Sequence, residues 1–316
     1  MKLQTKIPIT KVTHNQIDYT SKILVLGSCF SENIGKKLGY FKFHVTQNPF
    51  GILFHPKAIE KVVLNAINTK EYLEKDIFFH QERWHSFFTH SSLSSPNKTK
   101  FLSDVNTASQ SVFSTLKTAN HIIITLGTSW VYRHIESDTI VANCHKIPQK
   151  KFLKELLSVP EIIESLDATV QLIKSINTKV TILFTVSPVR HLKDGFIENT
   201  QSKAHLIAAI HHLINVRNNI HYFPSYEIMI DELREYRFYA EDMIHPNQIA
   251  IHYIWERFAE TWFAENTKPI LKAVDSIQKG MQHKPFYKDS EEHKQFLQNL
   301  EAKKERLQNQ FPFIQF

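Results

Sequence analysis

KILVLGSCFSENIGKKL, residues 22–38, is the stretch that decides how the chain is interpreted. Residues 23–26 are aliphatic, which is typical of a buried strand in a parallel sheet. Gly27 permits a sharp turn where a side chain would clash, and Ile34 and Leu38 then recur at helical spacing. The stretch therefore predicts a strand, a tight turn and a helix.

The predicted turn carries two candidate nucleophiles, Ser28 and Cys29. A strand-turn-helix places them beside the amide groups of a helix N-terminus, as in a nucleophile elbow with oxyanion donors close by. Ser31 or Cys29 is expected to open the helix, with Glu32 in the first turn, where the helix dipole favours an acid. The alternative is an ordinary strand-to-helix turn around a small buried thiol, because buried cysteines are common.

The composition indicates a folded globular protein. The chain has 316 residues, of which 42% are hydrophobic and 22% are charged, and this length allows one large α/β domain or two small ones. Lys and Arg number 38 against 31 Asp and Glu, which gives a formal charge of +7. Because the basic residues are scattered and no RNA-binding signature occurs, we do not expect a nucleic-acid partner.

Cysteine and histidine usage argues against a metal or disulfide framework. The two cysteines, Cys29 and Cys144, match neither a disulfide scaffold nor a zinc-finger spacing. The 18 histidines include no HExxH pair, so neither a metal nor another cofactor is predicted. The N-terminal residues lack the apolar core of a signal peptide, and no apolar stretch is long enough to span a bilayer. We therefore expect a cytoplasmic protein without a membrane span.

Strand and helix patterns alternate along the chain, which predicts a mostly parallel sheet with helices on both faces. The tail from about residue 267 is helical and highly charged, and we expect a solvated helix with one apolar stripe. We divide the chain into an α/β domain at 1–265 and a charged helical extension at 266–316. Further strands are predicted at 43–47, 121–126, 180–187 and 220–223, a hairpin at 131–135 and 139–144, and helices at 103–119, 150–157, 160–176, 199–217, 225–235 and 247–264.

An Asp and a His lie three residues apart just before the helix predicted at 247–264. Pro246 disfavours helical backbone at His245, so the turn is fixed outside the helix. Asp242 can then bind one ring nitrogen of His245 and leave the other free to take a proton from a nucleophile. Asp-x-x-His occurs often by chance in a His-rich chain, so its weight comes from its combination with the turn at Ser28 and Cys29.

Seven motifs in order carry a family resemblance: GSCFSENIG, NPFGILFHP, LGTSWVYR, VANCHK, SPVRH, NTQSKA and YFPSYEIMIDELREYRFYAEDMIHPN. Over roughly residues 22–262 the chain closely resembles the GSCFA family, which is grouped with the SGNH/GDSL hydrolases. The resemblance implies a three-layer α/β/α sandwich with a flavodoxin-like sheet of strand order 2-1-3-4-5. It also implies a nucleophile in the first motif and an Asp-x-x-His pair in the last. The family has no well-established reaction, so the resemblance indicates a fold and a site rather than a substrate.

One departure from the superfamily concerns the nucleophile. When the superfamily's Gly-Asp-Ser pattern is aligned with this sequence without a gap, Gly27 matches the Gly and Ser28 matches the Asp. Cys29 then matches the nucleophilic Ser. Position therefore favours Cys29, with Ser28 as a hydrogen-bonding neighbour, and Ser28 as the nucleophile is the alternative. A thiol at a helix N-terminus near a histidine is also expected to have a lowered pKa.

A second departure concerns the oxyanion donors. The superfamily's Gly-x-Asn is replaced by the sequence from Gly127 to Ser129, whose hydroxyl has a shorter reach than an amide. The expected donors are the amides of Cys29 and Gly51, together with Ser129 or the side chain of Asn48.

Two pairs of side chains are candidates for substrate binding. Arg190 and His191 follow a strand end and are candidates for an anionic substrate group, with a surface salt bridge as the alternative. Trp84 and His85 are candidates for a sugar or acyl cleft, with aromatic packing as the alternative.

The resemblance and the Asp-x-x-His pair together favour an acyl-ester hydrolase or acyltransferase of SGNH type. Cys29 or Ser28 would form a covalent acyl-enzyme with a small-molecule or carbohydrate ester, His245 would act as base and then acid, and Asp242 would orient His245. The alternative is a degenerate SGNH-fold protein that binds a carbohydrate or acylated ligand without turnover, which the replaced Gly-x-Asn favours. A metal-dependent hydrolase lacks the ligand spacing, and the sequence leaves the oligomeric state open.

Overall fold

The computed structural model of the chain describes residues 4–316. Its strands, in chain order, are β1 (Lys22–Gly27), β2 (His44–Gln47), β3 (Phe78–His80), β4 (Arg83–His85), β5 (His121–Leu126), β6 (Trp130–His134), β7 (Thr139–Val141), β8 (Phe152–Leu156), β9 (Thr181–Val186) and β10 (Ile220–Phe223). Its helices are α1 (Cys29–Tyr40), α2 (Pro56–Ile67), α3 (Lys98–Thr118), α4 (Val159–Ile176), α5 (Phe196–Val216), α6 (Ser225–Glu227), α7 (Gln248–Trp262), α8 (Thr267–Gln282) and α9 (Glu291–Gln310).

Five parallel strands form the central sheet. Their order across the sheet is β10-β9-β5-β1-β2, and each neighbouring pair is parallel. Counted along the chain, this is the order 2-1-3-4-5. The α/β class and the parallel sheet expected from the sequence are therefore confirmed, and so is the strand order implied by the family resemblance.

Helices cover both faces of this sheet, because successive strand residues point to opposite sides. Leu24 and Ile122 belong to an apolar cluster with α2, α3, α4 and α5. Their neighbours Ile23 and Ile123 belong to a second cluster with α1, α7, α8 and α9. The sheet thus separates two apolar cores in a three-layer arrangement.

A small antiparallel sheet of order β7-β6-β8 lies outside the central one. The hairpin of β6 and β7 was predicted, but the helix predicted at 150–157 is wrong. That segment forms β8, which pairs antiparallel with β6 from Trp130 to His134. The pairing with β6 supplies backbone hydrogen bonds from a distant part of the chain, which local patterning does not reveal.

The starts of two helices differ in part from what the sequence indicated. Of the two residues expected to open α1, Cys29 is its first residue and Ser31 is not. The cap itself is Ser28, whose Oγ accepts the Phe30 N–H at 3.3 Å. Helix α3 begins at Lys98, five residues before the predicted start, because the Asn97 side chain caps it.

The C-terminal helices pack against the layer that contains α1. Leu300 and Leu307 of α9 belong to the apolar cluster of α1 and α7. Helix α8 also holds the last residue of α1: the Tyr40 hydroxyl donates to Asp275 Oδ1 at 2.9 Å, and Gln278 Nε2 donates to the Tyr40 carbonyl at 2.9 Å. Among residues 4–316, no helix has the length and apolar character needed to cross a bilayer.

Candidate functional site

The loops that follow β1, β2 and β5 touch one another at the carboxyl edge of the sheet. The Ser28 N–H donates to the Thr125 carbonyl at 3.0 Å, and the Leu53 N–H donates to the Gly27 carbonyl at 3.1 Å. The Gly127 N–H donates to the Phe54 carbonyl at 2.7 Å. In an open parallel sheet, this edge is where ligands bind.

The turn after β1 depends on Gly27. Its φ is +135°, and a Cβ there would overlap the Thr125 carbonyl oxygen and approach the Thr125 nitrogen to 2.8 Å. Asn48 holds the turn from the other side, because its Oδ1 accepts the Gly27 N–H at 2.9 Å and its Nδ2 donates to Ser31 Oγ at 3.1 Å. Asn48 thus positions the turn and the start of α1.

The two candidate nucleophiles differ in environment. Ser28 is only 1% exposed, and its oxygen is used as the helix cap. Cys29 is the first residue of α1 and is partly exposed. No acceptor within residues 4–316 receives the Cys29 N–H, as is usual for the first amides of a helix. Of the two side chains, Cys29 is thus the more accessible and is not used as a helix cap.

The thiol of Cys29 is not activated by its surroundings in this structure. Burial raises its pKa, and the negative charge of Glu32 raises it further. The sequence-based expectation of a lowered pKa is therefore wrong, because desolvation outweighs the helix N-terminus. A thiol in this state needs a general base before it can attack.

Asp242 and His245 form the predicted pair. His245 Nδ1 lies 2.7 Å from Asp242 Oδ2. Asp242 Oδ1 accepts the backbone N–H groups of Ile244 and His245 at 2.9 and 3.0 Å, and bonds to His245 lower the pKa of Asp242 to about 2. No group in the described chain, residues 4–316, hydrogen-bonds His245 Nε2, and the side chain is 45% exposed. The carboxylate therefore fixes the ring and leaves one nitrogen free.

The loop that carries this pair is docked against the loop after β9. The Arg190 N–H donates to the Ile244 carbonyl at 3.1 Å, and the Ala240 N–H donates to the His245 carbonyl at 2.8 Å. Asn247 caps α7 and also donates to the Arg237 carbonyl at 2.7 Å. A polar residue after Pro246 at a helix start is a recognisable cap signal, so the role of Asn247 could have been predicted from its position.

His191 joins the loops after β5 and β9. Its ring lies 5.6 Å from the ring of Phe54, and its Nε2 is 2.8 Å from the position that a Cβ on Gly127 would take. That nitrogen is buried and has no partner among residues 4–316. Burial, and then the charges of Lys203 and His245, lower the pKa of His191 to about 3. The ring is therefore neutral at pH 7, and the expected cationic contact to an anion is not supported for His191.

Three of the expected oxyanion donors are used elsewhere, and the first is Asn48, whose side-chain amide is bound to Gly27 and Ser31. The Gly51 N–H donates to the Asn48 carbonyl at 2.7 Å. Ser129 is fully buried, with its hydroxyl donating to the Ser202 carbonyl at 3.2 Å and its N–H donating to Ser202 Oγ at 2.7 Å. These bonds argue against Asn48, Gly51 and Ser129 as oxyanion donors.

Arg190 keeps its charge available. It forms no ion pair with any of the residues 4–316. Burial raises the pKa of Tyr226 and of Tyr239, and the positive charge of Arg190 lowers both values. The two phenol groups therefore lie near the Arg190 side chain. Arg190 therefore remains a candidate for binding an anionic group.

Sequence reasoning missed a buried polar stripe on α5 formed by Asn199, Ser202 and Lys203. Lys203 is 1% exposed, and its Nζ donates to the Ser187 carbonyl at 2.7 Å. Asn199 Oδ1 accepts the His191 N–H at 2.9 Å. The signal was present in NTQSKA, because positions i, i+3 and i+4 share one helix face. The stripe supports the loop after β9 from behind.

Lys203 makes stability depend on pH. Burial lowers its pKa from 10.5 to about 7, so between these values the unfolded chain binds more protons than the folded one. The free energy of unfolding should therefore rise with pH above about 7, by at most about 1.4 kcal/mol per pH unit from this group. Denaturant unfolding at about pH 7, 8 and 9 measures the rise, and Lys203→Met should remove it.

The difference in pH dependence of the unfolding free energy between the parent and Lys203→Met gives the contribution of Lys203, because the other titrating groups contribute equally to both proteins. Lys150 is exposed, so Lys150→Met serves as the control and should keep the parent's pH dependence. If the unfolding free energies of the parent and of Lys203→Met depended on pH in the same way, the lowered pKa of Lys203 would be contradicted.

Two family models match the chain. The model of the GSCFA family covers residues 22–258, and a model described as the GSCFA domain protein, C-terminal domain, covers residues 274–316. The chain belongs to the GSCFA family. No curated protein sequence matches it. The GSCFA match at 22–258 contains the Cys29 turn, the Asp242–His245 pair and the buried stripe of α5.

In this GSCFA protein, Trp84 and His85 are used in packing. His85 lies 2.7 Å from Ser94 Oγ through Nδ1 and 3.0 Å from the His80 carbonyl through Nε2. Trp84 lies under the Lys98 ammonium group. The described residues contain no group of three or more His, Cys, Asp or Glu placed to share a metal ion.

Proposed function

We propose that this GSCFA protein is an acyl-ester hydrolase or acyltransferase of SGNH type that works through a thioester on Cys29. The observation that carries the proposal is the Asp242–His245 pair. It presents a free imidazole nitrogen on a loop docked at the same sheet edge as the loops around Cys29.

The reaction follows from the chemistry of these groups. His245 Nε2 takes the thiol proton as Cys29 Sγ attacks the ester carbonyl, and the collapse of the tetrahedral adduct breaks the C–O bond while His245 returns the proton to the leaving alcohol. Water or a sugar hydroxyl then attacks the thioester, again deprotonated by His245, and the thiol is regenerated. Asp242 holds the ring and stabilises the imidazolium formed in each half-reaction.

The raised pKa of Cys29 fits a base-assisted attack rather than a preformed thiolate. With the thiol protonated, the resting enzyme needs no thiolate–imidazolium ion pair. The proton moves as the substrate arrives, as in Ser–His systems. His245 is thus required for the first step, not only for the release of the alcohol.

The proposed oxyanion donors are the Cys29 N–H and the ring of His191. The Cys29 amide lies at the N-terminus of α1, where the helix dipole favours negative charge. His191, in the tautomer with hydrogen on Nε2, supplies a neutral donor beside Gly127. It would take the place of the Asn of the superfamily's Gly-x-Asn.

A second candidate function is binding without turnover. The engaged Gly51 amide and Ser129 hydroxyl, together with the raised pKa of the thiol, favour a degenerate site. The ligand would then be an acylated molecule or a carbohydrate held at the same edge of the sheet.

Acyl transfer to the protein separates these two functions. After brief incubation with p-nitrophenyl acetate, peptide mass spectrometry should find an acetyl group on Cys29. Burial raises the pKa of Cys144 to about 11, so that thiol should stay unlabelled. Cys144→Ser should label like the parent, and His245→Ala should not label. Acetylation of Ser28 would move the nucleophile, and an unlabelled parent would favour the binder.

A further inference from the structure

A cavity of about 530 Å³ lies beside the proposed acyl site and is unused by the proposed reaction. Phe54 forms one wall, and its ring also faces His191 at 5.6 Å. This volume lies in the range of small-molecule sites, about 300–1,000 Å³. A molecule in this cavity would therefore sit next to the loops that surround the nucleophile.

The charged groups that line the cavity are all cationic. Lys146 and Lys193 belong to its lining, which includes no Asp or Glu. Neither lysine forms an ion pair within the described chain from residue 4 onward. The nearest acid along the chain, Asp194, is already bound to Lys154 at 2.8 Å. The cavity therefore offers two unpaired ammonium groups to a ligand.

The histidines of the lining add no charge. Burial lowers the pKa of both His55 and His145 to about 4. His55 Nε2 lies 3.1 Å from the Val141 carbonyl, and His145 Nε2 lies 2.8 Å from the Ser86 carbonyl. Both rings are thus neutral wall elements near pH 7, and the lysines set the sign of the potential.

Aromatic and aliphatic side chains make up most of the remaining wall, with Asn143 and Gln149 as its polar members. Trp130 donates its Nε1–H to the Glu198 carbonyl at 3.2 Å, and the Lys154 ammonium lies 4.5 Å from the centre of its ring. Tyr132 and Pro148 line the cavity as well. A rigid aromatic wall favours the carbon skeleton of a ligand, while the lysines favour negatively charged oxygens.

We propose that this cavity binds a small organic anion, with a phosphate or carboxylate held by Lys146 and Lys193 and its carbon skeleton against Trp130. In the reaction proposed above, this anion is the part of the ester substrate remote from the scissile bond. That assignment rests on the proposed function, whereas the binding itself does not.

Calorimetric titration of the full chain tests the site. The probes are glucose 6-phosphate, glucuronate, glucose and inorganic phosphate, at about 50 mM salt to limit screening. At least one of the two sugar anions should bind saturably, and which one does separates phosphate from carboxylate recognition. Glucose should not bind, and inorganic phosphate should bind about tenfold more weakly because it has no carbon skeleton.

Lys146→Gln combined with Lys193→Gln should weaken binding of the sugar anion by about tenfold or more. Lys150→Gln combined with Lys151→Gln removes the same charge outside the lining and should leave binding unchanged. The proposal is overturned if no sugar anion binds, if glucose or inorganic phosphate binds as tightly, or if the first pair leaves affinity unchanged. If a sugar anion binds but p-nitrophenyl acetate is not turned over, only the proposed reaction is refuted. If p-nitrophenyl acetate is turned over but no sugar anion binds, only the proposed anion site is refuted.

Discussion

Cys29→Ala and His245→Ala are each expected to reduce p-nitrophenyl acetate turnover by at least about 10³-fold, because they remove the nucleophile and its base. Asp242→Asn should lose somewhat less, since the ring keeps its place but loses the charge that stabilises the imidazolium. Steady-state rates across pH 6–9 measure these effects. The double variant of Cys29 and His245 should be no worse than either single one, as expected for residues that act as a unit.

Ser28→Ala is the matched control. It removes the cap of α1 and should cost about 1 kcal/mol of stability, while the rate per folded molecule changes little. If Ser28→Ala loses as much turnover as Cys29→Ala while the protein stays folded, the hydroxyl is the nucleophile. If the parent and His245→Ala turned over p-nitrophenyl acetate at equal rates, the proposed role of His245 as the general base would be refuted.

Gly27→Ala is expected to produce the largest loss of stability, about 3 kcal/mol or more. The new methyl group would meet the backbone of Thr125, which belongs to the paired strand and cannot move aside. The positive φ of +135° adds strain that glycine avoids. Urea unfolding followed by circular dichroism measures the change.

Gly39→Ala, in the helix α1 that follows Gly27, is the opposite case. No atom lies within 4 Å of a Cβ at Gly39, so the change should stabilise the protein by about 0.5–1 kcal/mol through helix propensity. If Gly27→Ala matched the parent within about 0.5 kcal/mol, the close approach of β1 and β5 would be refuted.

The features that the sequence predicted are those fixed by neighbouring residues. Gly27 dictates a turn directly after an aliphatic run, and Pro246 keeps His245 out of the following helix. Both features survive in the structure as the β1–α1 turn and the bond between Asp242 and His245. The strand order came from the resemblance, because local patterns do not specify which strands are neighbours.

The features that the sequence did not predict depend on distant partners. The raised pKa of Cys29 reflects burial by the rest of the fold. Ser129 is occupied because Ser202, 73 residues later, lies against it. The neutral His191 arises from burial and from the nearby charge of Lys203. Desolvation and long-range hydrogen bonds cannot be read from residue spacing, so these parts of the site emerged only from the structure.

Helix α1 is fastened at both of its ends. Asn48 and Ser31 hold the end that presents Cys29, and α8 grips Tyr40 at the other. Twelve residues of helix make a stiff rod about 18 Å long. Cys29 and Tyr40 thus stand at the two ends of one continuous helix, so the contacts that α8 makes with Tyr40 also help to position the thiol at the sheet edge.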